Sequence, residues 1–489
     1  MAYIATLVTA ILLLGAHGGS AIGLAPRAAG SNAGHLQVYP IPSDVPVATD
    51  FDVKVRSPGG KWETVETYRP LHTEANFTTG STVRHASSLA IFDFNGTVEI
   101  RAKYLKDRLS SAVVRPESVG IRPKKSGSTL TFTLTEPRDV VLQVNGNVFE
   151  TLHIFTNPPD TDIPSKDDKD VLYYGPGYHK PSSPIVVGSG QTLYLAGGAV
   201  VSAPDITVTN SSDVTLRGRG LLYSERGNAV SIRSSKNVLA EGLVGINFVP
   251  RTFEATDVTF RRWRAFSAQQ WGDGLDLFSS RNILVDSVFL RNSDDCIAVY
   301  NHRGDTYGDS VNITIQNSIL WADVAHPINV GTHGNTKDPE TVDGLTIRNI
   351  DILDQREKQM LYQGTISLNA GDNNLIQNVF IEDVRVEDIR LGQLLNFRVM
   401  YNEKYNTSPG RGIRNVFVRN LSYNGKNAGT SIFTGYNEER TISNVTFENL
   451  VVNGQTISDT MRKPGWYLTT DFIPLYANEH VKGLTFRST

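Results

Sequence analysis

The chain has 489 residues, enough to bury a large core and to form two domains. A net charge of −3 with 20% charged residues argues against a nucleic-acid or membrane-surface binder. Aromatics at 9% and 42 glycines suit a turn-rich β protein, and the single cysteine, Cys296, excludes an intrachain disulfide.

In chain order, Tyr3 to Leu14 is an apolar run followed by Gly18, Gly19, Ser20 and Ala21. It is too short to span a bilayer, and residues 1–22 are expected to be a secretory signal peptide of an extracellular protein. No other stretch is long and apolar enough to cross a membrane. Seven Asn-X-Ser/Thr sequons are candidate glycosylation sites: Asn76, Asn95, Asn210, Asn312, Asn406, Asn420 and Asn444. The competing reading is structural, since Asn-Val-Thr also describes a turn entering a short strand.

Residues 23–160 alternate strands and turns. Phe51–Val55 alternates apolar and charged residues. Ser88–Phe94, Asn95-Gly96 and Thr97–Ala102 predict a β-hairpin. Thr129–Leu134, Val140–Val144 with Asn145-Gly146, and Leu152–Phe155 complete an expected antiparallel β-sandwich. Pro158-Pro159 and the charged run to Asp170 read as a linker.

Residues 161–489 repeat loosely. A short strand preceded by Asn, Asp or Gly recurs at Asp213–Leu216, Asn237–Leu239, Asp257–Phe260, Asn282–Val285, Asn312–Ile315, Gly344–Ile347, Asn378–Ile381, Asn415–Val418, Asn444–Phe447 and Gly483–Phe486. The steps run from 20 residues (238 to 258) to 39 (445 to 484). A constant strand with a variable insertion marks a solenoid whose loops grow on one side. The expected fold is therefore all-β: a right-handed parallel β-helix, like that of the pectin lyases, preceded by a β-sandwich. A leucine-rich solenoid lacks the regular Leu spacing it would need.

The chemistry concentrates in Trp271-Gly-Asp-Gly-Leu-Asp276 and Asn292-Ser-Asp-Asp-Cys-Ile-Ala298. Asp294 follows Asp273 by 21 positions (294 − 273), about one coil, so the two acids can stack on one face. Clustered carboxylates repel and raise one another's pKa. Glycoside hydrolysis needs that arrangement, with one carboxyl protonated and one ionised about a bond. Coils about 4.8 Å apart, offset sideways, bring two acids into working range. Surface turn aspartates or a calcium site are the bland alternatives. Cys296 reads as a buried apolar residue, not a nucleophile.

Gly-Asp-Gly-Leu-Asp276 resembles the Asn-Thr-Asp-Gly-X-Asp segment of the polygalacturonase family of glycoside hydrolases. Asp294-Asp-Cys-Ile-Ala298 resembles that family's Asp-Asp-Cys-hydrophobic-Ala segment at matching spacing. The resemblance covers roughly residues 170–489. It implies an inverting hydrolase of α-glycosidic bonds with Asp294 as general acid and Asp273 and Asp295 activating the water. Three departures bear on substrate. The family's Gly-His-Gly becomes Thr332-His333-Gly334, its Arg-Ile-Lys is missing with Arg398 a loose substitute, and its disulfides cannot form. The chain is also similar to the dextranase and isopullulanase family, which joins a sandwich to a β-helix; Trp321 to Gly331 resembles its Trp-containing segment.

Candidate substrate contacts are Trp271 and Trp321 as stacking platforms, His302, His326 and His333 near the acids, and Arg398. Core packing is an equal reading for both tryptophans, and a surface turn for the histidines. Asp276 is read first as a turn cap and second as a substrate contact. Tyr362, Tyr401 and Tyr405 are weaker platforms, and Arg261, Arg262 and Arg264 could bind an acidic sugar but read first as a solvated face or as partners of carboxylates. No cofactor or metal is called for. The expected partner is a polysaccharide or oligosaccharide bound by a monomer, with neither nucleic acid nor membrane. A β-helix polysaccharide lyase and a non-catalytic carbohydrate-binding solenoid remain the readings from other classes.

Overall fold

The computed structural model describes residues 35–462 and 475–488. The expected signal segment lies outside them. The described residues form one compact unit, and no α-helix occurs among them.

Two five-stranded sheets come first. Alternating apolar residues of Phe51–Arg56, Val98–Tyr104 and Thr129–Leu134 fill the space between them, with Val55, Ile100, Leu130, Leu142 and Ile154 fully buried. The predicted hairpin at Asn95-Gly96 does not form. Ser88–Phe94 and Val98–Tyr104 belong to different sheets, and the turn crosses between them. The physical reason is burial: Ser88–Phe94 is covered on both faces, so it cannot keep a half-solvated hairpin partner. It pairs in parallel with Thr151–Asn157, which makes the sandwich mixed and not purely antiparallel.

From Val171 onward a 29-stranded, almost wholly parallel sheet winds into a β-helix. Val214, Val238, Val258, Ile283, Ile313, Leu345, Val379, Val416, Val445 and Leu484 stack in one in-register row. The residue before each takes a left-handed backbone, at Asp213, Asn237, Asp257, Asn282, Asn312, Asn378, Asn415 and Asn444, or is Gly344 or Gly483, all at φ between 53° and 72°. Asn and Asp tolerate that conformation because their short side chains bond locally. Here they also bond between coils: Asn282 Nδ2 to Asp257 (2.9 Å), Asn312 to Asn282 (2.8 Å), Asn415 to Asn378 (3.0 Å) and Asn444 to Asn415 (2.9 Å). Where Gly344 interrupts the ladder, Asn378 reaches the neighbouring Asp343 instead (2.7 Å).

The sequons acquire a structural meaning from this ladder. Asn312, Asn420 and Asn444 each spend a side-chain N–H on the coil before. Asn406 corrects the expectation of a glycan, because it is buried and its amide donates to the Thr332 carbonyl. Asn76, Asn95 and Asn210 are exposed.

The sandwich lies along the flank of the β-helix. A shared apolar cluster joins Tyr68, Leu89, Ile91 and Phe155 to Val200, Leu221, Val244, Phe266, Phe289, Trp321 and Leu353 on successive coils. Buried ion pairs frame the seam: Arg264 grips Asp139 through two bonds (2.8 and 2.9 Å), and Arg115 meets Glu387 (2.6 Å). The sandwich's contacts therefore run along the coils and not across an open end of the solenoid. Replacing Arg264 by Met is expected to cost about 3–5 kcal/mol by stranding Asp139. Urea denaturation measures this, and a loss under about 1 kcal/mol would show that the pair does not hold the seam.

Candidate active site

Strand Leu275–Phe278 pairs with Ile297–Tyr300, which pairs with Ile328–Gly331. The Gly274 N–H donates to the Asp295 carbonyl and the Cys296 N–H to the His326 carbonyl, both at 2.8 Å. Asp273, Asp295 and His326 therefore occupy equivalent positions on three successive coils. The glycines of Gly-Asp-Gly are required sterically. A Cβ on Gly272 would lie 2.4 Å from Ser293 Oγ, and one on Gly274 would lie 2.4 Å from Asn292 Oδ1. Cys296 beneath them is fully buried in the core and burial pushes its thiol pKa well up, so it stays inert.

Asp273, Asp294 and Asp295 bring one oxygen each within 4.8 Å of one another. Burial and the adjacent Asp295 push Asp294 up to about 8, so at neutral pH it holds a proton. Burial and then the charges of Asp276, Asp294 and Asp295 carry Asp273 well above the usual carboxylate range. Its proton bridges to Asp276, which is 2% exposed and bonded by Arg251 Nε at 2.9 Å. Asp295 goes the other way. Burial opposes its charge but is outweighed by His326 and by bonds from His326, Asn329 and Tyr300, which hold it below the usual range. Its Oδ1 accepts from His326 Nδ1 (2.6 Å) and N (3.2 Å), and its Oδ2 from Asn329 Nδ2 (2.8 Å) and Tyr300 (3.1 Å). His326 is fully buried, yet Asp295, Glu357 and the Tyr362 carbonyl raise its pKa to about 9 against that burial. A buried ion pair thus fixes where the negative charge sits. Of the two acids expected to act jointly as base, Asp295 is the one whose surroundings favour the charged form. The three carboxylates stand close enough to share a divalent cation, but all four acceptor sites of Asp295 are already taken.

The acids open into a cleft of about 470 Å³. Trp271 lines it, 63% exposed, with φ +58°, a costly conformation for a bulky residue. His333 lines it too, edge-on to Tyr300 at 5.0 Å, and burial lowers its pKa to about 4, so it is neutral. Asp276 also faces the cleft, but from within a strand and ion-paired, so the turn-cap reading is corrected. His302 stacks on Tyr307 (4.2 Å) in an adjoining hollow. Tyr362 and Tyr405 stack together (5.1 Å) at the cleft wall, whereas Tyr401 lies outside it.

Three expected substrate contacts are corrected. Trp321 has no exposure; it is packed at the sandwich seam with Arg291 3.9 Å and Arg115 4.9 Å from its ring. His326 is closed off from the cleft and acts on Asp295. Arg398 does not line the cleft, and its Nε donates to Thr434 Oγ1 (3.3 Å).

The sequence reading did not single out Arg251, Tyr300, Asn329 or Glu357. Tyr300 was findable, since Phe253, Phe278 and Tyr300 stand in one row by strand register. Glu357 sits on a loop without a motif.

A parallel β-helix holding one protonated and one ionised carboxyl in an aromatic-lined cleft defines a carbohydrate-cleaving enzyme by class. Residues 228–393, which carry Asp273, Asp276, Asp294 and Asp295, match the family model for glycosyl hydrolases family 28. Over that stretch the chain is similar to the polygalacturonase-like β-helix glycoside hydrolases. Among solved structures, Dex49A from Penicillium minioluteum matches with a TM-score of 0.58 at 13% identity, over 90% of this chain and 96% of that one. The family 28 exopolygalacturonase of Yersinia enterocolitica matches with a TM-score of 0.47 at 11% identity, over 80% of this chain and 96% of that one. No curated protein sequence matches the chain.

The charge states set the pH dependence. With Asp294 as the acid expected from the sequence, kcat/KM is expected to hold through neutrality and fall as pH rises through about 8. On the acid side it falls only below the ordinary carboxylate range, where Asp295 protonates. A pH–rate profile checks this. An alkaline limb near pH 5 would remove Asp294 from the role of acid.

Proposed function

We propose that the protein is a secreted, inverting hydrolase of α-glycosidic bonds in a polysaccharide, with Asp294 as general acid and Asp295 as the group that activates water. The observation that carries this reading is the opposite protonation of two adjacent carboxyls, Asp294 up and Asp295 down. Asp294 gives its proton to the glycosidic oxygen as the C1–O bond breaks. A water adds to C1 from the other face and its proton passes to Asp295. The Tyr300 hydroxyl, which is the rotatable donor among the four bonded to Asp295, yields its place to that water. Asp273 lies alongside and accepts a second bond from it.

The separation of the acids needs its own argument. Inverting pairs usually stand roughly 6.5–9.5 Å apart and retaining pairs about 5–5.5 Å. One oxygen from each of the three acids lies within 4.8 Å of the others here. The inverting reading follows the family 28 resemblance, with Asp295 exchanging its Tyr300 bond for one to a water. Proton NMR of the first-formed product discriminates the two routes. The anomer opposite to that of the substrate bond is expected, and retained configuration would overturn the inverting assignment.

An acidic polymer of the polygalacturonate kind is the first substrate reading, supported by the motif and by Arg303, Lys358 and Lys404 at the cleft. A neutral α-glucan is the second, favoured by Arg398 turning away to Thr434. Reducing-end release from polygalacturonate and dextran separates them. In either case Asp294→Asn is expected to lower kcat by at least about 10³-fold, since it removes the proton donor. Chelator is expected to leave turnover unchanged. Near-normal turnover in the variant, or unsaturated products absorbing in the ultraviolet, would refute the hydrolase mechanism, the latter in favour of a lyase.

A further inference from the structure

Part of the cleft wall comes from outside the β-helix. Strands Leu71–Ala75 and Thr82–Ala86 pair as an antiparallel hairpin of the N-terminal region, and Phe77 at its tip lines the same cleft as Asp273, Asp294 and Trp271. The hairpin is tied to the β-helix at both ends of the site. Thr73 Oγ1 donates to the carbonyl of Ala268 (2.8 Å), on the segment leading to Trp271. Lys358 Nζ donates to the carbonyl of Phe77 (2.5 Å) from the loop that carries Glu357. Inside the base of the hairpin the fully buried His72 bonds Ser87 (2.7 Å).

The ring of Phe77 is itself oriented. The Arg356 guanidinium sits 4.6 Å from its centroid, a cation–π contact that occupies one face. The residue stays half-buried although its neighbours Thr78, Thr79 and Gly80 are exposed. A partly solvated aromatic at a loop tip gains nothing from core burial, so its placement over the cleft calls for another partner. Trp271, held at φ +58° and 63% exposed, presents a second aromatic surface to the same space.

We propose that this hairpin builds a sugar-binding subsite, in which a pyranose ring of the polysaccharide stacks on the face of Phe77 that is turned away from Arg356, with Trp271 as the companion surface. The assignment rests on the glycosidase reading and adds to it a role for the N-terminal region, which becomes a wall of the substrate cleft. Pyranoses present apolar C–H faces that match aromatic rings, and a ring already pinned by Arg356 loses little freedom on binding. Acidic and neutral pyranoses share this face, so the subsite serves either substrate class.

The test uses full-length protein in an Asp294→Asn background, titrated calorimetrically with hexagalacturonate and with isomaltohexaose. Phe77→Ala is expected to weaken the bound hexamer about three- to tenfold, the range of an aromatic stacking contact. Phe77→Tyr is expected to retain affinity. Phe77→Leu keeps the apolar bulk beside Arg356 but removes the ring, and is expected to lose affinity like Ala with an unchanged melting temperature. Unchanged affinity in both Ala and Leu variants would overturn the subsite, as would failure of the parent to bind either hexamer. Failure of the glycosidase reading shows separately, as turnover that survives Asp294→Asn in otherwise wild-type protein.

Discussion

Everything in this molecule depends on the in-register stacking of coils through parallel backbone hydrogen bonds. A single coil cannot bury its own apolar side. Stacked, the coils align Val238 over Val258 over Ile283 and continue to Leu484. The same alignment sets Asp273, Asp295 and His326 one above another, although they are far apart in the chain. The solenoid thus supplies rigidity and proximity with the same bonds. Catalytic groups fixed on a scaffold of this kind need little reorganisation during reaction.

Proximity alone would be a liability, because four carboxylates share one small volume. The structure resolves it by giving each a different surrounding. Asp295 receives a buried imidazolium and three further donors, Asp276 receives Arg251, and Asp273 and Asp294 are left with protons. Asp273 and Asp294 are neutralised, burial also raises Asp276 despite Arg251, and the negative charge concentrates on Asp295. The environment, and not the identity of the side chain, divides acid from base.

The sequence displayed the solenoid because its signal is local. Asn, Asp or Gly before a β-branched triplet records a left-handed residue entering a strand, and each such position proved to have positive φ. The acids were visible through their motif spacing. What was not legible depended on who faces whom. Trp321 and His326 looked like cleft residues because they lie on the coil just after the acids, but strand register turns Trp321 to the sandwich, and His326, ahead of its strand, is buried against Asp295 and the Tyr362 carbonyl. The crossing at Asn95-Gly96 mimics a hairpin turn, and only the double-sided burial of Ser88–Phe94 reveals otherwise. Phe77 and Glu357 sit on loops whose placement is a long-range fact with no periodic trace.

The flank-mounted sandwich has a mechanical consequence. A bare solenoid comes apart one coil at a time, since each coil holds only its neighbours. Here the apolar seam from Val200 to Leu353 and the ion pairs of Arg264 and Arg115 splint a block of consecutive coils together. The block contains the catalytic coils, and the coils beyond Leu395–Val399 lie outside the seam. Under tension from the C-terminus the molecule would peel coil by coil and then stall at the splint, so the far end acts as a sacrificial fringe while the hydrolytic machinery stays assembled.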